Sequence, residues 1–238
     1  MLDITRANER YNLKTDWLNA RWHFSFDRYH DPKRMGHGDL RVFNHDVIQP
    51  GRGFPMHPHR DMEIVTYVID GALAHRDSTG GDGKIHAGEV QRMSAGSGVH
   101  HSEFNASGEK TVELLQMWVF PEKRGVQPSY EQKQFTVEDR TGRLLPIVSS
   151  RPEHWNDGEG SLWIGQDAQF YVSRLEPGQS IEHALGAARK AYLFVIAGEL
   201  EVNAETLGLN DSVAVSAVET LRLQAGPEAT ELLLIDLP

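Results

Sequence analysis

The chain has 238 residues, 39% hydrophobic and 24% charged, and its 24 Lys plus Arg against 34 Asp plus Glu give a formal charge of −10. That length allows one large domain or two of roughly 100 residues, and the acidic balance argues against direct nucleic-acid binding. Cysteine is absent, which excludes disulfides, thiolate nucleophiles and sulfur-ligated zinc or iron–sulfur sites, so any metal must sit on nitrogen and oxygen.

The opening "MLDITRANERYNLKTDW" is too polar for the apolar core of a signal peptide. No apolar run approaches the ~20 residues that span a bilayer, and a cytoplasmic protein with no membrane partner is expected. "WHFSFDRYHDP" follows, where Trp22, Phe24, Phe26 and Tyr29 read as core packing, with a pocket border as the alternative for part of the cluster. His23, His30, His37 and His45 show no paired spacing and read as surface or hydrogen-bonded residues. Short strand-type segments then recur: "DLRVFNHDVI", "EIVTYVIDG", "VELLQMWVF", "FYVSRLEPG", "AYLFVIAGELEV" and "TELLLIDLP". Each is rich in β-branched, aromatic or other apolar residues and is bounded by turn formers. "STGGDG" at 78–83 lacks the helix and Lys-Ser/Thr of a phosphate loop and reads as a hairpin, with His75 and His86 exposed beside it. "EKRGVQPSYEQKQF" is the one stretch with a helical turn in its pattern. Many short strands at regular spacing predict an all-β barrel or sandwich.

Thr66–Leu73, "TYVIDGAL", is echoed by Leu193–Leu200, "LFVIAGEL", and "MSA" at Met93 by "VSA" at Val215. Two fragments in the same order predict a duplicated β-domain, residues 1–135 and 136–238, joined through the polar stretch from Val126 to Pro152. Carried without gaps into the second half, His57 falls on Ala184, His59 on Gly186, Glu63 on Lys190, His101 on Leu223 and Glu103 on Ala225. The second copy is therefore expected to lack metal ligands.

The chemistry concentrates in "HPHRDME". His57 and His59 lie at i, i+2, on one face of a strand, with Pro58 turned outward. "AGSGVHHSEF" places His101 and Glu103 at the same spacing, with His100 pointing the other way. Ser102 has no nucleophile elbow around it and is not read as catalytic. A second strand facing the first would gather three imidazoles and one carboxylate, a set suited to a divalent first-row metal. Strand parity alone leaves Glu63 and Glu103 both open as the carboxylate.

The spacing of Gly51, His57, His59, Glu63 and Gly71 resembles the first cupin motif, and that of Gly88, Gly96, His101 and Asn105 the second. "HPHRDMEIVTYVIDG", "HRDSTGG", "GEVQRMSAGSGVHHSEFN", "LRVFNHDVI" and "LLLIDLP" are similar to the pirin family of bicupins, which includes bacterial quercetin 2,3-dioxygenases. This resemblance implies an all-β bicupin of two jelly-roll barrels. It implies metal ligation by His57, His59, His101 and Glu103, iron(II) first, with nickel, manganese, copper, cobalt or zinc as alternatives. It further implies a flavonol-opening dioxygenase that consumes dioxygen and releases carbon monoxide in flavonoid degradation, with Glu103 as the proton acceptor. The other activity it implies is that of an iron-containing regulator that binds protein partners according to redox state.

Overall fold

The computed structural model describes residues 1–151, 160–186 and 188–238. The chain divides into two compact units, one formed by Tyr11–Phe135 with Leu162–Gln166, the other by Met1–Arg10, Thr136–Ser161 and Asp167–Pro238. The chain crosses between units at 10/11, 135/136, 161/162 and 166/167; Pro152, the end of the expected connection, lies outside the described residues. The first ten residues belong to the second unit because Leu2–Thr5 pairs antiparallel with Ser212–Ser216, with Leu2 opposite Val215 and Ile4 opposite Val213. No helix is long and apolar enough to cross a membrane among the described residues.

In the first unit a seven-stranded antiparallel sheet runs in the order Ser129–Gln134, Glu89–Ser94, Glu63–Asp70, Val112–Val119, Leu40–Ile48, Leu18–Trp22, Tyr11–Lys14. A four-stranded sheet runs Gly53–His59, Val99–Asn105, Ala72–Asp77, Asp82–His86. The second unit repeats both orders: Ser212–Ser216, Lys190–Ala197, Thr230–Leu237, Gln169–Leu175 in one sheet, and Ser180–Ala184, Thr220–Ala225, Leu200–Val202, Glu205–Leu207 in the other. This is the expected pair of jelly-roll barrels. The echo in the sequence has a steric root. Gly71 (φ 82°) and Gly198 (φ 77°) make the same turn, and a Cβ there would lie 2.6 Å from the carbonyl of Thr111 and 2.7 Å from that of Ala229.

Alternation fills the interiors. In the second unit Leu193, Val195, Val213, Val215, Leu221, Leu223, Leu232 and Leu234 pack in one buried cluster, each contributing about 1.5–3 kcal/mol on burial. The first unit has a smaller cluster around Leu18, Trp22, Ile48, Val68, Leu73 and Leu114, because several of its inward positions are polar.

One local expectation fails. "EKRGVQPSYEQKQF" holds no helix; Ser129–Gln134 is an edge strand in register with Glu89–Ser94, and cross-strand pairing overrides the weak helical pattern. The only α-helical turn among the described residues is Val137–Arg140, capped by Thr136.

Candidate metal centre

Gly53–His59 and Val99–Asn105 are hydrogen-bonded neighbours in the four-stranded sheet, with His57 opposite His101 and His59 opposite Val99. The two motifs therefore meet side by side rather than across facing sheets. Val99, His101, Glu103 and Asn105 are buried, whereas His100 and Phe104 are exposed, as strand parity requires. The register slips between His101 and Glu103, at a bulge that re-aims the side chains around it. Gly53 makes that approach feasible, since a Cβ on it would lie 2.2 Å from the carbonyl oxygen of Glu103.

Three imidazoles converge. Nε2 of His57 and Nε2 of His101 are 3.0 Å apart, and the His59 ring centroid is 4.8 Å from each of the other two. Nδ1 of His57 donates to the carbonyl of Pro55 at 2.8 Å; a carbonyl only accepts, so the neutral ring presents its Nε2 lone pair inward. Nε2 of His59 is buried without a hydrogen-bond partner. Burial first, then the neighbouring His101 and His57, push His59 down to about 4, against the opposing pull of Glu103. Burial also lowers His101, with Glu103 again opposing. Buried lone pairs without donors are costly, and a divalent cation accepting several nitrogens relieves that cost, so the residues fit a metal on nitrogen and oxygen. Among the described residues two overlapping groups have donor atoms within 4.8 Å of one another: His57, His59 and His101, and His75, His101 and Glu103.

Glu103 is held on both sides. Oε1 accepts from Nε2 of Gln91 at 2.6 Å and Oε2 from Nε2 of Gln116 at 2.7 Å. Gln91 also donates to Thr66 Oγ1 at 3.0 Å, and Gln116 Oε1 accepts from the Trp118 indole at 3.2 Å. Glu63 is not in either group. Asp61, at φ 48°, breaks the strand after His59 and sends Glu63 into the other sheet. There its Oε2 accepts from Ser94 at 2.7 Å, and burial raises its pKa. The parity that left Glu63 open assumed an unbroken strand.

His57 and His59 border a cavity of about 490 Å³ walled by Trp17, Trp22, Phe26, Phe54 and Trp118, with Asp27, Arg28, Asn44, Asp46, Glu103 and Gln116 among its polar members. Trp22 and Phe26 pack with the core, as expected, and also form part of the cavity wall. Trp118 meets His59 edge-on at 4.8 Å. Asp46 is buried, its Oδ1 has no hydrogen-bond partner, and burial together with the charge of Glu103 pushes its pKa up to about 7.

His75, expected to be exposed, is 1% accessible, while His86 is exposed as expected. Nε2 of His75 meets Asp77 Oδ2 at 2.9 Å, and its ring stacks on Tyr130 at 4.3 Å. His45 is buried with Nε2 2.6 Å from Glu113, and His23 is buried as well.

The second unit carries one imidazole that gapless alignment missed. Ile181 pairs with Leu223 and His183 with Leu221, the places that His57–His101 and His59–Val99 occupy in the first unit. His183 rather than Gly186 therefore matches His59; the longer 185–189 connection shifts the alignment. Its Nε2 lies 2.9 Å from Asp236, which also accepts from Arg189 at 2.5 Å. Ile181, Leu223 and Ala225 stand where the other ligand candidates would be.

The Pirin family model matches residues 4–119, and that of the quercetinase C-terminal cupin domain matches residues 148–237. A Pseudomonas aeruginosa homologue is 46% identical over 220 residues, 92% of each chain. The quercetin 2,3-dioxygenase of Escherichia coli K12 is 38% identical over 240 residues, 100% of this chain and 99% of its own. The bacterial pirin YhhW of Escherichia coli, solved in complex with nickel(II), superposes with a TM-score of 0.92 at 37% identity, covering 100% of this chain and 99% of that one.

Proposed function

The chain belongs to the pirin family of bicupins, and on that premise we propose that it is a metal-dependent dioxygenase that opens the central ring of flavonols such as quercetin. The observation that carries this reading is the convergence of three imidazole nitrogens at the edge of an aromatic-walled cavity. His57, His59, His101 and Glu103 would hold one divalent metal, iron(II) or nickel(II) foremost. When bound, the metal lowers the pKa of a hydroxyl on it and promotes reaction with dioxygen.

The chain's own residues do the rest. Trp22, Phe26, Phe54 and Trp118 form apolar walls that hold a flat ring system and exclude water. Asn44 and Asp46 offer polar anchors among those aromatics. Glu103 takes the proton of the flavonol 3-hydroxyl on a carboxylate oxygen, and the amides of Gln91 and Gln116 fix the plane in which it does so. The amides cannot accept that proton, so the carboxylate is the basic member of this chain of contacts. Loss of the quercetin absorption band in the presence of metal-reconstituted protein, abolished by chelation, is the expected result. Fully metal-loaded protein that leaves quercetin and dioxygen unchanged would overturn the proposal.

A further inference from the structure

His101 and His75 each bury an Nδ1 that has no hydrogen-bond partner. The rings are neighbours, 5.3 Å between centroids, on adjacent strands in which His101 faces Asp77 and Glu103 faces His75. Such a pair of buried, unpartnered nitrogens needs an explanation.

The proton positions supply one. Asp77 is locked: its Oδ1 accepts from the backbone N–H of Thr79 at 2.7 Å, the Thr79 hydroxyl at 2.6 Å and the N–H of Gly81 at 3.0 Å. Its Oδ2 is thereby turned to His75 Nε2 at 2.9 Å. A carboxylate only accepts, so His75 carries a proton on Nε2, and in the neutral ring Nδ1 is the acceptor. His101 is the complement. Once its Nε2 lone pair is given to a metal, its ring proton sits on Nδ1 and needs an acceptor. We infer that, once a metal takes Nε2 of His101, a small ring rotation closes the gap between the two Nδ1 atoms, and His75, oriented by Asp77, accepts the Nδ1–H of His101 as a positioning residue that fixes the ligating ring. The inference rests on the reading of His101 as a ligand.

The sharpest variant is Asp77→Asn. Three donors hold the Oδ1 side, so the new NH₂ must face His75 Nε2 and drive its proton to Nδ1, opposing the N–H of His101. The packing stays the same while the tautomer inverts. Zinc(II) affinity, measured by competition with a chelating dye, is expected to fall roughly 10- to 100-fold in Asp77→Asn and in His75→Phe. His75→Asn returns an acceptor near the Nδ1 position and is expected to restore most of the affinity. In the zinc-loaded wild type, long-range ¹H–¹⁵N spectra should show His101 protonated at Nδ1 and His75 at Nε2, and Asp77→Asn should reverse His75.

Wild-type zinc affinity in Asp77→Asn, or a His101 Nδ1 without a proton in the zinc-loaded protein, would overturn the inference. Reduced affinity in Asp77→Asn with His75 still protonated on Nε2 would also overturn it, as a merely structural effect. His101→Ala separates the two levels: retention of zinc there overturns the ligand reading itself. Loss of zinc there with wild-type binding in both His75→Phe and Asp77→Asn overturns only the role of His75.

Discussion

Asp46 offers a stability test that needs no substrate. The carboxyl is 3% accessible, with one oxygen lacking any hydrogen-bond partner, and its pKa stands at about 7 against an ordinary 3.8. Burial is the main cause and the charge of Glu103 the second. The folded-state pKa is raised, so the stabilising contribution is complete below about pH 4 and is lost as pH rises through about 7. A shift of about three units corresponds to about 4 kcal/mol in total, of which about 2–3 kcal/mol falls between pH 5 and 8. Asp46→Asn keeps the shape and removes the ionisation. Urea unfolding of metal-free wild type and variant, followed by tryptophan fluorescence, gives both free energies at pH 5 and pH 8. The stability of the variant relative to wild type should rise by about 2–3 kcal/mol across that interval, other titrating groups cancelling in the difference. A difference that stays constant with pH would refute the assignment of a buried, ionisable Asp46.

Further outcomes follow from the site. Gly53→Ala forces a Cβ to within 2.2 Å of the Glu103 carbonyl; destabilisation by about 1–3 kcal/mol and weakened metal retention are expected in calorimetry and metal analysis. Glu103→Gln places an amide N–H against the donor of either Gln91 or Gln116 and removes the base. Quercetin turnover should fall roughly 10²–10⁴-fold where proton transfer limits the rate, with partial recovery at higher pH. Glu63→Gln, in the other sheet against Ser94, should leave turnover near wild type. Metal analysis of reconstituted protein should find one ion per chain, because His183 is tied to Asp236 and lacks ligand-type neighbours at Ile181, Leu223 and Ala225.

The two barrels were legible from strand spacing and the repeated "VIDG" and "VIAG" turns, because period-2 burial and the glycine turn are local demands. The pairs His57/His59 and His101/Glu103 were legible for the same reason. Their partners were not. Gln91 and Gln116 show in the sequence only as polar residues at inward positions of apolar strands, a signal available from parity in "EVQRMS" and "VELLQMWVF". His75 looked exposed because it borders a polar turn; its burial comes from neighbouring strands and Tyr130, distant in sequence. Strand parity left Glu63 open, and gapless alignment set His59 against Gly186, for one reason. The 60–62 connection, with Asp61 at φ 48°, and the greater number of residues between Ala184 and Lys190 change parity and alignment without a strong local signal.

The central claim is metal-dependent flavonol cleavage at the imidazole cluster. Its most direct test is a sealed-vessel assay of dioxygen uptake and carbon monoxide release with quercetin, comparing metal-reconstituted wild type with His101→Ala. Equimolar uptake and release by the wild type, lost together with bound metal in the variant, is the predicted result. A wild type carrying its full complement of metal that consumes no dioxygen and releases no carbon monoxide would contradict the account and favour the regulatory role instead.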